Sequence, residues 1–274
     1  MDSNRFNQIL IVDSIPTGEY NTARRLFEDL EIHAIAYSPS PAIKYIRVNN
    51  VTEFFQCIQT AKYNAEQHDL FPMLHIECHG CEDGFQFADG SLADWDELKI
   101  PITELNVATG RNLMVAVAAC TGGALAKVMR IGDRAPFWGL IGPTRTLTAE
   151  ELEKAYAALY LTLLRTKSPA DAVKAMEHAT VPGLFLRTTS QGLFEKVWCS
   201  YKSEHCTNAA LEKRGRRIMT RLHESGISTL LSMDELLIMF ANYEPFAFAR
   251  YRATFFMVDI FPEHSNRFPI EYIA

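Results

Sequence analysis

The chain of 274 residues is short of several things, and each shortage removes a class of function. No apolar run approaches the roughly 20 residues that a helix needs to span a bilayer. Met1–Arg5 leads straight into a strand-like run without the layout of a signal peptide, so a cytoplasmic location is expected. Positive charge is in deficit: 27 Lys and Arg stand against 33 Asp and Glu, a net charge of -6, which argues against a general nucleic-acid binder. The six cysteines follow no small-scaffold spacing, and a chain of this length builds its core without disulfides, so free thiols are expected. Cys78 and Cys81 form a C-x-x-C near His75, but no second such pair completes a four-ligand zinc site. The pair also ends a strand rather than opening a helix, which is where a redox dithiol is expected. Thr121-Gly122-Gly123 lacks the Lys-Ser/Thr of a P-loop and the full G-x-G-x-x-G spacing. No metal and no cofactor are therefore expected, and there is no internal repeat or low-complexity segment.

What the chain does have is the composition of an ordinary globular protein, 48% hydrophobic and 22% charged. Short apolar runs alternate with amphipathic segments. Gln8–Val12, Phe71–Cys78, Leu113–Ala119 and Phe137–Ile141 read as buried strands, and Ile32–Tyr37 as a further one. Helices are expected over Tyr20–Leu30, after Asn50 with Glu53 as its capping-box partner, over Ala124–Met129, and from Thr148 (with Glu151) to about Arg165. Ser168-Pro169 starts another, with proline at the first helical position. Gly80–Asn112 reads as irregular, with a small hairpin around Asp83-Gly84 and Asp89-Gly90 and a helical turn at Trp95–Leu98. This alternation implies an α/β fold with a doubly wound, mostly parallel sheet and helices on both faces. From about Val181 helical periodicity dominates, so residues 1–180 are expected to form the sheet domain and 181–274 a helical extension. Lys213-Arg214-Gly215-Arg216-Arg217 reads as a solvated basic face, with docking of an acidic partner as the alternative. Cys199, His205 and Cys206 share a helical pattern and read as structural or surface residues.

Two segments carry the chemistry. One strand ends in His79-Gly80, and forty-one residues later another ends in Ala119-Cys120-Thr121-Gly122. In such sheets functional groups gather beyond the carboxyl ends of the strands. A thiol beside an imidazole is a nucleophile with its base. Cys120 precedes an expected helix, whose N-terminal amides favour a thiolate. By strand alternation His75, Glu77 and His79 share a side, and hydrogen-bonded structural roles suit His75 and Glu77.

The order and context of these motifs (Leu74–Gly80, then Asp83-Gly84 and Asp89-Gly90, then Ala119–Gly122) resemble the caspase-like cysteine peptidases, in particular the bacterial CHAT-type members. The likeness covers roughly residues 5–180. It implies a caspase-like sheet, a Cys–His dyad without a required third residue, and cleavage of a protein or peptide substrate. Cys120 would attack the carbonyl, His79 would protonate the leaving amine, and the N–H groups of Gly80 and Cys120 would hold the oxyanion. It also implies a setting in bacterial stress, cell death or anti-phage defence, beside a regulatory protein partner. The arginine or glutamine that animal caspases carry after the cysteine is replaced by Thr121, so aspartate specificity is not implied. Glu77, Glu82, Asp83, Asp89 and Asp94 lie near the expected mouth, and a carboxylate there would select Arg or Lys, as in several relatives. Arg145 is a further candidate at the rim. The alternatives are a catalytically silent caspase-like module that binds a partner, and another thiol-dependent hydrolase or acyl transferase.

Overall fold

Short β-branched and aliphatic runs become the buried strands of one sheet, and capped amphipathic segments become the helices that cover it. The computed structural model describes residues 5–37, 39–227 and 231–272. The chain opens with β1 (Gln8–Asp13), α1 (Thr22–Ala34), β2 (Ala42–Arg47), α2 (Val51–His68) and β3 (Pro72–Glu77). Three short strands follow, β4 (His79–Gly80), β5 (Gly84–Gln86) and β6 (Leu92–Asp94), and then α3 (Trp95–Ala108). After β7 (Met114–Ala118) come a 3₁₀ helix (Gly122–Val128), β8 (Gly139–Pro143), α4 (Ala149–Thr166), α5 (Pro169–His178) and β9 (Phe185–Thr189). Helices α6 (Ser190–His205), α7 (Asn208–Glu224), α8 (Met233–Phe255) and α9 (His264–Arg267) complete the described chain.

The main sheet has six strands in the order β2-β1-β3-β7-β8-β9. All neighbours are parallel except β9, which runs antiparallel to β8. The crossover from β1 to β2 moves outward and that from β2 to β3 moves back. Right-handed connections then place α1 and α2 on opposite faces. On one face Ile9, Ile11, Met73, Ala116 and Ala118 pack with Leu26 and Leu30 of α1 and with Tyr156, Leu159 and Tyr160 of α4. The alternate residues Leu10, Val12, Leu74, Ile76, Val115 and Val117 are equally buried and turn to the other face, as the strand period of two requires. There α2 and α3 pack against each other.

The caps lie where the local chemistry puts them. Asn50 accepts the Glu53 amide at 2.9 Å, while the Glu53 carboxylate reaches one residue further back, to the Asn49 amide at 2.7 Å. Thr148 and Glu151 close a reciprocal capping box, and Ser168 caps α5 with Pro169 in its first turn.

Four segments depart from the sequence reading. Residues 32–34 belong to the end of α1 rather than to a strand, and the second strand is Ala42–Arg47. Ile32 and Ile35 imitate a strand because both are exposed apolar side chains at a helix end. The segment read as irregular holds a full helix, α3, started by a capping box between Asp94 and Glu97 and containing Pro101. The segment after Gly122 winds as a 3₁₀ helix rather than an α-helix. Phe185–Thr189, within the stretch read as the start of the helical extension, is a strand of the main sheet.

The chain divides into two compact units, Met1–Val128 with Ala135–Ser190, and Met129–Arg134 with Gln191–Ala274. The second unit has an aromatic core. Phe194 meets Phe248, Phe255 and Phe256 with ring centroids 5.1–5.7 Å apart, and Trp198 meets Phe248 at 5.0 Å. Among the described residues no helix is long and apolar enough to cross a membrane.

Candidate active site

The strand order reverses between β1 and β3, and the residues of interest gather at the carboxyl ends of β1, β3 and β7, the position where open α/β sheets place their sites. β3 ends at Glu77, and the chain turns at once into β4, whose His79 and Gly80 pair with Gln86 and Phe85 of β5. β7 ends at Ala118, two residues before Cys120.

Gly80 is packed directly against Cys120. A methyl group on Gly80 would sit 1.9 Å from the Cys120 carbonyl oxygen and 2.9 Å from its carbonyl carbon and its nitrogen. Only glycine permits that approach. The next residue, Thr121, has φ +55°, a left-handed conformation rare for a β-branched side chain and costing about 1–3 kcal/mol. Its hydroxyl lies 2.7 Å from the Cys120 carbonyl oxygen and 3.4 Å from that of Cys81. The turn is closed by Gly122 N–H donating to Ala119 at 2.9 Å and Ala124 N–H to Thr121 at 2.7 Å. Among the described residues the Cys120 N–H meets no acceptor, so it remains available as an oxyanion donor.

His79 is half-exposed, and its Nε2 lies 3.1 Å and 3.2 Å from the two carboxylate oxygens of Glu19. Glu19 sits in the loop after β1, in a turn where its N–H donates to Pro16 at 3.2 Å and Gly18 has φ +97°. The buried Asp13 carboxylate holds both ends of that loop. It accepts the Ile15 amide at 2.8 Å, the Asn21 side-chain amide at 2.7 Å and the Arg47 guanidinium at 2.6 Å, together with the Tyr45 hydroxyl. Sequence reasoning missed Glu19 and Asp13; the one available signal was an aspartate directly after the β1 run. No hydrogen bond joins the Cys120 thiol to the His79 ring, although Gly80, the residue after His79, is packed against the Cys120 backbone.

Beneath this edge lies a closed polar network. His75 Nε2 is 2.9 Å from Glu77 Oε1, the Tyr160 hydroxyl is 3.2 Å from His75 Nδ1, and Thr22 donates to the other Glu77 oxygen. Tyr156 donates to the Val117 carbonyl at 2.7 Å and packs edge-on against His75. Burial pushes the Tyr156 and Tyr160 phenols well above their ordinary values.

Glu77 is consequently withdrawn from the substrate candidates: it is buried, and both its oxygens are engaged. Asp83 and Glu82 are exposed in the turn before β5, and their carbonyls take up the backbone and ring N–H of Trp95. Asp89 is exposed in the turn before β6, where the Ser91 side chain and amide hold its carboxyl below the usual range. Asp94 is spent on the cap of α3. The Arg145 guanidinium is committed to Glu151 at 3.1 Å and to the Thr146 carbonyl at 2.6 Å, while its own carbonyl lies 3.5 Å from the Thr121 nitrogen. Arg145 thus borders the Cys120 turn through its backbone. Cys78 is buried, and burial above all pushes its thiol well above the ordinary value, so it is no competitor for Cys120. Among the described residues no cluster of His, Cys, Asp and Glu is arranged to hold a metal ion. No family model and no curated protein matches this chain.

Proposed function

We propose that the protein is a cysteine endopeptidase of caspase-like layout, in which Cys120 is the nucleophile and His79 the acid/base. The observation that carries this reading is the backbone contact between Gly80 and Cys120, which joins the two strand ends and leaves the Cys120 N–H free at the carboxyl edge of the sheet. A substrate carbonyl bound there would accept the N–H groups of Cys120 and Gly80 as the thiol adds to its carbon. His79 would take the thiol proton and deliver it to the departing amine. Water then hydrolyses the thioester, and the thiol is restored. Glu19 engages one nitrogen of His79 and leaves the other for this transfer. Asp83 and Asp89 remain as exposed carboxylates, and either one at the mouth would suit substrates with Arg or Lys. A bacterial defence or cell-death setting with a regulatory protein partner belongs to the same proposal.

A second reading, a silent module that binds a partner, is favoured by one observation: the His79 ring is paired with Glu19 and makes no hydrogen bond to the Cys120 thiol. Wild type and Cys120→Ala are compared on a mixed peptide library. The peptidase reading expects cleavage that Cys120→Ala abolishes, with basic residues before the cut. Equal patterns from both proteins remove it. A clear preference for acidic or apolar residues removes the assignment of Asp83 and Asp89 alone.

A further inference from the structure

The second unit places uncompensated positive charge beside a hollow that its helices do not fill. Helix α7 carries Lys213, Arg214, Arg216, Arg217 and Arg221 against only two glutamates. Arg216 is spoken for by Glu212 at 3.3 Å. Among the described residues no carboxylate lies within ion-pair distance of Lys213, Arg214 or Arg217, or of Arg250 on α8. Arg217 lies four residues after Lys213 and three after Arg214, so it neighbours both on one side of α7. Across from them Tyr201, Glu204 and His205 form a matching face of α6, and the groove between is a cavity of about 650 Å³.

A second chamber of about 300 Å³ adjoins it, for Tyr201 and Arg214 line both. Its wall comes from Phe240, Tyr243, Arg250 and Tyr251. The Arg214 guanidinium stands 5.0 Å over the Phe240 ring, and Tyr201 meets Tyr251 edge-on at 5.5 Å. The carboxylate in this wall, Glu244, is already taken: Lys202 lies 3.1 Å away and the Tyr272 hydroxyl 3.0 Å. Glu204, on the outer rim, is exposed and 3.9 Å from His205. Burial first of all, with the hydrogen bond to Tyr251, pushes the Tyr201 phenol up to about 12, so a neutral hydroxyl faces the chamber.

The groove is open to solvent on the side of the exposed Lys213, Arg214 and Arg217, while Phe240 and Tyr251 are partly buried in its wall. The lining is wrong for a dry void and right for a ligand: aromatic faces on one side, unpaired guanidinium groups on the other, in a volume typical of small-molecule sites. Planar guanidinium groups match phosphate oxygens, and aromatic faces match a planar ring. The geometry points to a binding site for a mononucleotide-like molecule, with its aromatic ring in the inner chamber against Phe240, Tyr243 and Tyr251 and its phosphate in the outer one against Lys213, Arg214 and Arg217. This site is independent of the peptidase reading. It also gives the basic run a specific occupant in place of solvent.

Titration calorimetry of the full chain tests it with adenosine, guanosine and cytidine monophosphates, ribose 5-phosphate, adenosine and a glutamate-rich peptide. At least one monophosphate is expected to bind below millimolar concentration. Ribose 5-phosphate and adenosine are each expected to bind at least about tenfold more weakly, which is about 1.4 kcal/mol per half of the ligand. Binding should weaken with salt. Arg214→Gln and, as a milder exposed change, Lys213→Gln with Arg217→Gln should each weaken it about tenfold or more, with the thermal transition of the double variant unchanged. The proposal is overturned if no monophosphate binds, if ribose 5-phosphate binds as well as the nucleotides, if the glutamate-rich peptide binds more tightly than all of them, or if the folded double variant binds like wild type.

Discussion

Two histidine–glutamate pairs, with their histidines four residues apart along the chain, have nearly the same distance and do different things. His75–Glu77 spans 2.9 Å with side chains 0% and 2% exposed, whereas His79–Glu19 spans 3.1 Å with side chains 43% and 50% exposed. In the buried pair both carboxylate oxygens and both ring nitrogens have partners, so the unit is fully satisfied and fixed. In the exposed pair water competes for every partner, and the interaction is screened. Distance alone does not rank ion pairs. The first pair belongs to the architecture, and the second is free to take part in chemistry.

The contrast is broken most severely from the buried side. Glu77→Ala leaves His75 and Thr22 facing an empty polar site and is expected to cost about 3–5 kcal/mol in urea unfolding. Less than 1 kcal/mol would mean that the network is not structural. Next comes Gly80→Ala, whose methyl group collides with the Cys120 backbone; a loss of about 1–3 kcal/mol is expected, with a changed rate of Cys120 alkylation by iodoacetamide. The third test uses pH. Tyr156 and Tyr160 have phenols raised in the folded state, so the unfolded chain releases these protons first. Their contribution is complete below the ordinary value near 10 and is lost as pH rises above it, by up to about 1.4 kcal/mol per pH unit for each phenol. Alkaline unfolding followed by tyrosinate absorbance should therefore be cooperative rather than gradual. The smallest effect on stability belongs to Glu19→Gln, expected within about 0.5 kcal/mol. Its signature is a changed rate of Cys120 alkylation by iodoacetamide, and an unchanged rate would show that Glu19 does not position His79.

Much of the frame is legible in local patterns. Gln8–Val12, Leu113–Ala119 and the capping residues at Asn50, Thr148 and Ser168 act through neighbours a few residues away, so their signals survive in one dimension. The departures have long-range causes. Glu19 meets His79 only because β1 lies beside β3, a contact sixty residues apart in the chain. Phe185–Thr189 becomes a strand because the edge of β8 is open to pair with it. Helix α3 hides behind Pro101 and the Asp-Gly turns, although Leu98, Ile102 and Leu105 keep helical spacing and are all buried. At the site, the sequence reading placed His79 and Cys120 at the ends of two buried strands, and the sheet shows that the strands before them, β3 and β7, adjoin. The left-handed Thr121 and the Asp13 clamp emerge only from the folded backbone.

The strand order has a consequence for the protein's early life. Glu19, His79 and Cys120 follow three different parallel strands, and each pairing closes a loop containing a whole crossover helix. Such non-local contacts form late, after the entropy of loop closure has been overcome. A chain emerging from synthesis therefore holds Cys120 apart from His79 until β7 has docked beside β3. The three residues share one edge only in the completed sheet.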